Sequence, residues 1–253
     1  MHRSLHRINR RDHRLGPAKR SLAVVLCLLL FAAAQTATAT AEVIPPEQET
    51  VVLLETHAVW SAPGANANRV ATVRRHRPIT RMQTVLPVLR HGTGASGDSW
   101  LQVRLPGRTI AQGSPQTGWI SAWETRAAST SWHLTVDVGA RRVAAYRDGN
   151  RVRSYRAVVG KPSTPTPHGE YFVEESVRVP GSHPGGPFAL ATSARSNVLQ
   201  EFEGGPGQIA IHGRNNLGGR LGTAVSHGCV RLGTRAIRWL SARIGPGVPV
   251  TIF

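Results

Sequence analysis

The sequence is poor in lysine and cysteine, and its last fifth has no acid at all. Of its 31 basic residues only Lys19 and Lys161 are lysines; the other 29 are arginines. A GC-rich coding sequence produces such a bias, so the formal charge of +17 is not in itself a nucleic-acid signature. Zinc-finger spacings and aromatic–basic recognition motifs are missing too, and no nucleic-acid partner is expected. No Asp or Glu follows Glu203. Any imidazole used for chemistry in that region must therefore be oriented by a backbone carbonyl or a neutral side chain. The apolar stretch Ser21 to Ala34 falls short of the ~20 residues an ordinary membrane span needs. Two cysteines, Cys27 and Cys229, leave no room for a disulfide framework.

The 253 residues, 40% of them apolar, suffice for one large domain or two small ones. Residues 1–20 carry seven Arg or Lys against one Asp; the apolar stretch follows, and then Ala-x-Ala sites at Ala37–Ala39 and Ala39–Ala41. Basic, apolar and small-residue regions in that order read as a secretory signal over 1–41, the alternative being an uncleaved anchor. The chain is thus expected to be exported into the cell wall or periplasm-like space of a bacterium, with no stable membrane span after cleavage. Leu26 before Cys27 argues against a lipid anchor. Cleavage would leave Cys229 as a lone thiol open to oxidation, which suggests that it is used.

Residues 42–49 (EVIPPEQE) read as a linker. From 50 to 125, short apolar runs alternate with Gly and Pro turns, the pattern of a small all-β barrel. Trp100-Leu101-Gln102-Val103 and Thr117-Gly118-Trp119-Ile120 resemble a bacterial SH3-like module. Residues 126–131 (RAASTS) read as a polar linker. Strand signals resume at Trp132, with a hairpin turn at Asp148-Gly149. Ser176 to Pro187 reads as a long loop and a candidate lid, and 198–202 as a short helical turn. In the strand 208–212, Ile209 and Ile211 are expected on one face. A late helix is expected with Thr234 as N-cap and Ile237, Leu240 and Ile244 on its apolar stripe, followed by a last strand over 248–253.

The chemistry concentrates in Ser226-His227-Gly228-Cys229-Val230-Arg231-Leu232, with His212-Gly213 seventeen residues before the cysteine. A thiol with a reference pKa of ~8.5 needs a base to become a nucleophile. His227 and His212 are both candidates: one shares a face with Cys229 if 227–229 is extended, and the other ends a neighbouring strand. The N–H groups of Gly228 and Cys229 would serve an oxyanion hole. His212, His227 and Cys229 would also make three zinc ligands, but zinc hydrolases add a carboxylate and none is local. Neither metal nor cofactor is expected. In papain-like wall peptidases the cysteine precedes its histidine, and no His follows Cys229 here.

These residues resemble the L,D-transpeptidase family, also called the YkuD-type domain. Gly160-Lys161-Pro162 with Thr164-Pro165-Thr166-Pro167-x-Gly169 matches a second segment common there, and the likeness covers about 131–253. The resemblance implies a mainly β chain, an SH3-like barrel followed by a β-sandwich-like catalytic domain with one late helix. It further implies peptidoglycan stem peptides as substrates, Cys229 as nucleophile and His212 as general base. Ser226, His227, Gly228, Arg231 and Gly213 would shape the oxyanion and substrate site, and carbapenem-type β-lactams would be inhibitors. Many members carry Asn where Arg231 stands. The same thioester could pass to water, giving an L,D-carboxypeptidase; a wall-binding protein with an inactive catalytic half is the non-enzymatic alternative.

Overall fold

Alternation of buried and half-exposed residues marks a few short strands, while the longer ones carry runs of buried residues. The computed structural model describes residues 43–107, 116–199, 201–202 and 205–253; the leader, with its cleavage candidates and Cys27, lies outside them. The first seven strands are β1 (Gln48–Leu53), β2 (His57–Trp60), β3 (Arg69–Val73), β4 (Val85–Thr93), β5 (Ser99–Arg104), β6 (Thr117–Ser121) and β7 (Thr125–Thr130). They form one sheet in the order β3-β2-β6-β5-β4-β1-β7. β6 shows the pattern: Gly118 and Ile120 are buried and the residues between them are half-exposed. The core includes Leu53, Val59, Leu86, Val103, Leu105 and Ile120.

The second half contributes β8 (Trp132–Asp137), β9 (Arg142–Arg147), β10 (Asn150–Arg156), β11 (Val159–Gly160), β12 (Gly169–Arg178) and β13 (Phe188–Arg195). The short strands β14 (Glu201–Phe202) and β15 (Gly205–Pro206) follow, then β16 (Gln208–His212), β17 (Ala224–Ser226), β18 (Val230–Arg231), α1 (Thr234–Ser241) and β19 (Pro249–Ile252). Eight of these make a sheet ordered β10-β9-β8-β19-β12-β13-β16-β18. Ile237, Leu240 and Ile244, on and just after α1, join Leu134, Val136, Leu190 and Ile211 in its core. The β9–β10 turn is made by Asp148 and Gly149 at φ 52 and 73, the left-handed pair a two-residue hairpin needs.

The two sheets meet through β12. Tyr171 and Val173 face the second core, while Phe172 between them enters the first. Arg77 reaches from the first half to the adjacent carboxylates of Glu174 and Glu175, and all three side chains are almost fully buried. Glu174 also accepts the Gly107 N–H at 2.7 Å. Glu175 accepts the Ile79 and Thr80 N–H groups at 3.2 and 2.8 Å and the Thr80 hydroxyl at 3.0 Å.

Several sequence expectations are corrected. Residues 125–130 form strand β7, paired along its length with β1, instead of a linker beginning at 126. Its polar, small side chains at the sheet edge give no apolar period to read. β1 begins inside the expected linker 42–49, at Gln48. Residues 176–178 extend β12 by pairing with Leu190, Ala189 and Phe188, so the loop runs from Val179 to Pro187. Among the described residues of 198–202 there is no helical turn: the Ser196 hydroxyl accepts the N–H groups of Val198 and Leu199, and 201–202 pair as strand. The N-cap of α1 is Gly233, which has no side chain to cap with; Thr234 is the first helical residue and its hydroxyl donates to Asn215 Oδ1 at 3.2 Å.

Candidate active site

The cysteine follows a turn closed by its own serine. The fully buried Ser226 donates its hydroxyl to the Cys229 carbonyl at 2.6 Å and accepts the Gly228 N–H at 3.2 Å. Gly228 has φ 116, and a Cβ there would lie 2.8 Å from Ile209 Cδ1, so this position requires glycine. That bend breaks the extended run expected over 227–229: His227 is exposed while Cys229 is half-buried. The Gly228 N–H, expected among the oxyanion donors, is committed to Ser226.

The second sequence motif clamps this turn from below. β11 runs parallel to β17 with Gly160 opposite Ser226. The Thr166 hydroxyl accepts the Gly160 N–H at 2.9 Å and donates to the Gly228 carbonyl at 2.7 Å. The Lys161 N–H and the Thr164 hydroxyl both donate to the Ser226 carbonyl, at 3.0 and 3.3 Å. Thr164 and Thr166 thus fix the backbone that presents Cys229. Both lie in the quoted Thr-Pro-Thr-Pro segment, but their roles become readable only in three dimensions.

β16 and β18 run parallel, pairing Ile211 with Val230 and His212 with Arg231. Ile209, Ile211 and Val230 are buried on one face, which leaves His212, Cys229 and Arg231 to the other. His212 Nδ1 lies 2.6 Å from the Gly213 carbonyl oxygen. A carbonyl only accepts, so Nδ1 carries the proton and Nε2 is the basic nitrogen of the neutral ring. Burial lowers the His212 pKa below its ordinary value; the bond to Gly213 opposes this, the Arg231 charge adds to it, and a bond to the Gly185 backbone opposes it again. Gly213 packs on the Gly186 carbonyl so closely that any side chain would collide. The orienting group is therefore a backbone carbonyl, as the lack of acids required.

His212, His227, Cys229 and Arg231 line one cavity of about 250 Å³. Its roof is the loop Val179–Pro187, from which His183 and Gly185 face the cavity. Asn215 and Asn216, which the sequence reading missed, tether that loop by donating to the carbonyls of Gly181 and Ser182 at 3.3 and 2.8 Å. The Asn215 carbonyl accepts the Gly185 N–H at 2.9 Å. The thiol lies 3.9 Å from the Gln208 carbonyl oxygen. Among the described residues, no group of three or more His, Cys, Asp or Glu side chains is placed to hold a metal ion.

If His212 is the base, His212→Ala should slow iodoacetamide labelling of Cys229 at pH 7 by about tenfold or more. In the unsubstituted protein the acid-side fall in labelling should set in below pH 6.5, because a depressed pKa keeps the ring neutral further into acid. Equal labelling rates with and without the ring would transfer the role to His227.

Residues 131–252 match the family model of the L,D-transpeptidase catalytic domain, YkuD. The YkuD protein of Bacillus subtilis, an L,D-transpeptidase by name, is 31% identical over 121 residues, which are 48% of this chain and 65% of that protein. Its namesake from Bacillus licheniformis is 32% identical over the same shares. The chain thus spans just under two thirds of these relatives' length. Among solved structures, an L,D-transpeptidase from Mycobacterium smegmatis aligns over 66% of this chain and 99% of its own, with 17% identity and a TM-score of 0.39. L,D-transpeptidase 3 from Mycobacterium tuberculosis, in complex with a faropenem-derived adduct, aligns over 61% and 90%, with 16% identity and a TM-score of 0.38.

Proposed function

We propose that the half of the chain matching the L,D-transpeptidase catalytic domain cross-links peptidoglycan stems through a thioester on Cys229. The observation that carries this reading is a cysteine outside any disulfide that shares a cavity with a histidine whose Nδ1 is locked on a carbonyl. Cys229 Sγ attacks the carbonyl of the third stem residue and its proton passes to His212 Nε2. Collapse of the tetrahedral adduct breaks the L,D peptide bond, and the same proton leaves on the amine of the departing D-residue. An amine of a neighbouring stem then attacks the thioester. Its proton passes through His212 to the departing sulfur, and the new amide is the cross-link. The low pKa of His212 favours a neutral thiol–imidazole pair at rest, with proton transfer coupled to attack. The Cys229 N–H remains the motif's candidate oxyanion donor.

We further infer that residues 1–41 direct export to the wall, that 42–49 lead into the first sheet, and that 50–125 form the bulk of an SH3-like accessory unit ahead of the catalytic residues 131–253. Short antiparallel strands around their own core support that reading of the first half. The direct test is mass spectrometry of products from tetrapeptide stems. Dimers identify the transpeptidase and tripeptides the carboxypeptidase; neither product would remove both. Carbapenems should add one drug mass per chain, because their strained ring offers an activated carbonyl to the thiol. The adduct should be missing from Cys229→Ala, and an adduct that survives that substitution would deny the thiol its role.

A further inference from the structure

The cavity has an unbalanced charge. Among the described residues no Asp or Glu lines it, and Arg231 is the one permanently charged side chain. The Arg231 Nη1 donates to the Gly218 carbonyl at 3.0 Å, while its buried Nε has no acceptor among the described residues. No salt bridge engages this guanidinium among the described residues. A partly buried cation held by one neutral carbonyl is poorly compensated, and a carboxylate is the group a guanidinium fork pairs with best.

Its position selects which carboxylate. Arg231 stands two residues beyond Cys229 in an extended segment, where side chains i and i+2 share a face ~6.6 Å apart. It also lies opposite His212 in the β16–β18 register. A peptide whose scissile carbonyl carbon sits at the thiol carries its next α-carbon two bonds, ~2.4 Å, further on. A free carboxylate on that next residue falls within reach of the guanidinium; if the chain continued, a neutral amide would stand there instead.

Building on the transpeptidase reading, we propose that Arg231 is the receptor for the free carboxylate of the donor's last residue. It thereby selects stems that end one residue after the bond to be broken. The same pairing has an electrostatic consequence. The Arg231 charge disfavours protonation of His212, and a bound carboxylate offsets that charge, so His212 becomes a better proton acceptor once the donor is seated.

The test measures equilibrium binding to the protein carrying Cys229→Ala, which cannot turn substrate over. A tetrapeptide stem ending in D-alanine is compared with the same peptide as its C-terminal carboxamide. The acid should bind at least tenfold more tightly. Adding R231Q should bring the two within about twofold, whereas R231K should keep part of the preference. Equal affinities, no binding of either peptide, or a preference that survives R231Q would overturn the assignment. If R231Q fails to fold, R231K decides: it should narrow the acid–amide gap, and an unchanged gap would overturn the assignment. An acid preference without turnover by the Cys229 protein removes the transpeptidase reading and leaves the carboxylate site standing. Turnover without that preference does the reverse.

Discussion

Cys229→Ala should lower stem-peptide turnover by ~10³-fold or more while leaving the fold in place. The thiol is half-buried and makes a long approach of 3.9 Å to the Gln208 carbonyl oxygen. The bonds that shape the turn use the Cys229 carbonyl and the Ser226 hydroxyl, which alanine preserves. Thermal unfolding should therefore move by only a few degrees. Loss of turnover then reports loss of the nucleophile and not loss of structure. Residual activity above a tenth of the unsubstituted protein would refute the assignment of Cys229.

Arg77→Ala should have the largest effect on stability. It strips the shared cation from two buried carboxylates, and removing one partner of a buried pair costs about 3–5 kcal/mol. For a chain of this size that corresponds to a fall in Tm of roughly 10 °C. Because the clamp and Phe172 join both cores, the two sheets should unfold in one transition, and a version lacking 43–125 should not fold. Combining Arg77→Met with Glu174→Gln and Glu175→Gln should recover part of the loss, since the orphaned charges are then gone. Scanning calorimetry checks all of this; two separate transitions, or a Tm change below about 2 °C for Arg77→Ala, would show that the sheets are independent.

What the sequence made legible was local and periodic. Ile209 and Ile211 alternate with half-exposed neighbours, Asp148-Gly149 marks its hairpin, and the apolar stripe of α1 is spaced as helices require. The cysteine motif was visible because its residues are adjacent in the chain. What stayed hidden depends on distant partners. Arg77 and Glu174 lie 97 residues apart. Thr166 bonds the Gly228 carbonyl across 62 residues, and the Asn215 and Asn216 side chains reach back 34 residues to the roof loop. Strand β7 was missed for a different reason: a polar edge strand is specified by the backbone groups of β1 and not by an apolar pattern.

The carbonyl that holds His212 belongs to the main chain, and that changes what mutation can do to the site. An orienting aspartate is a side chain that a single codon change deletes. The Gly213 oxygen survives every substitution at its own position, and the crowding against Gly186 limits which substitutions fold at all. If His212 serves as the base, substitution has few ways to detune it. What enters the cavity is set instead by its roof loop and by the asparagines that tie it down.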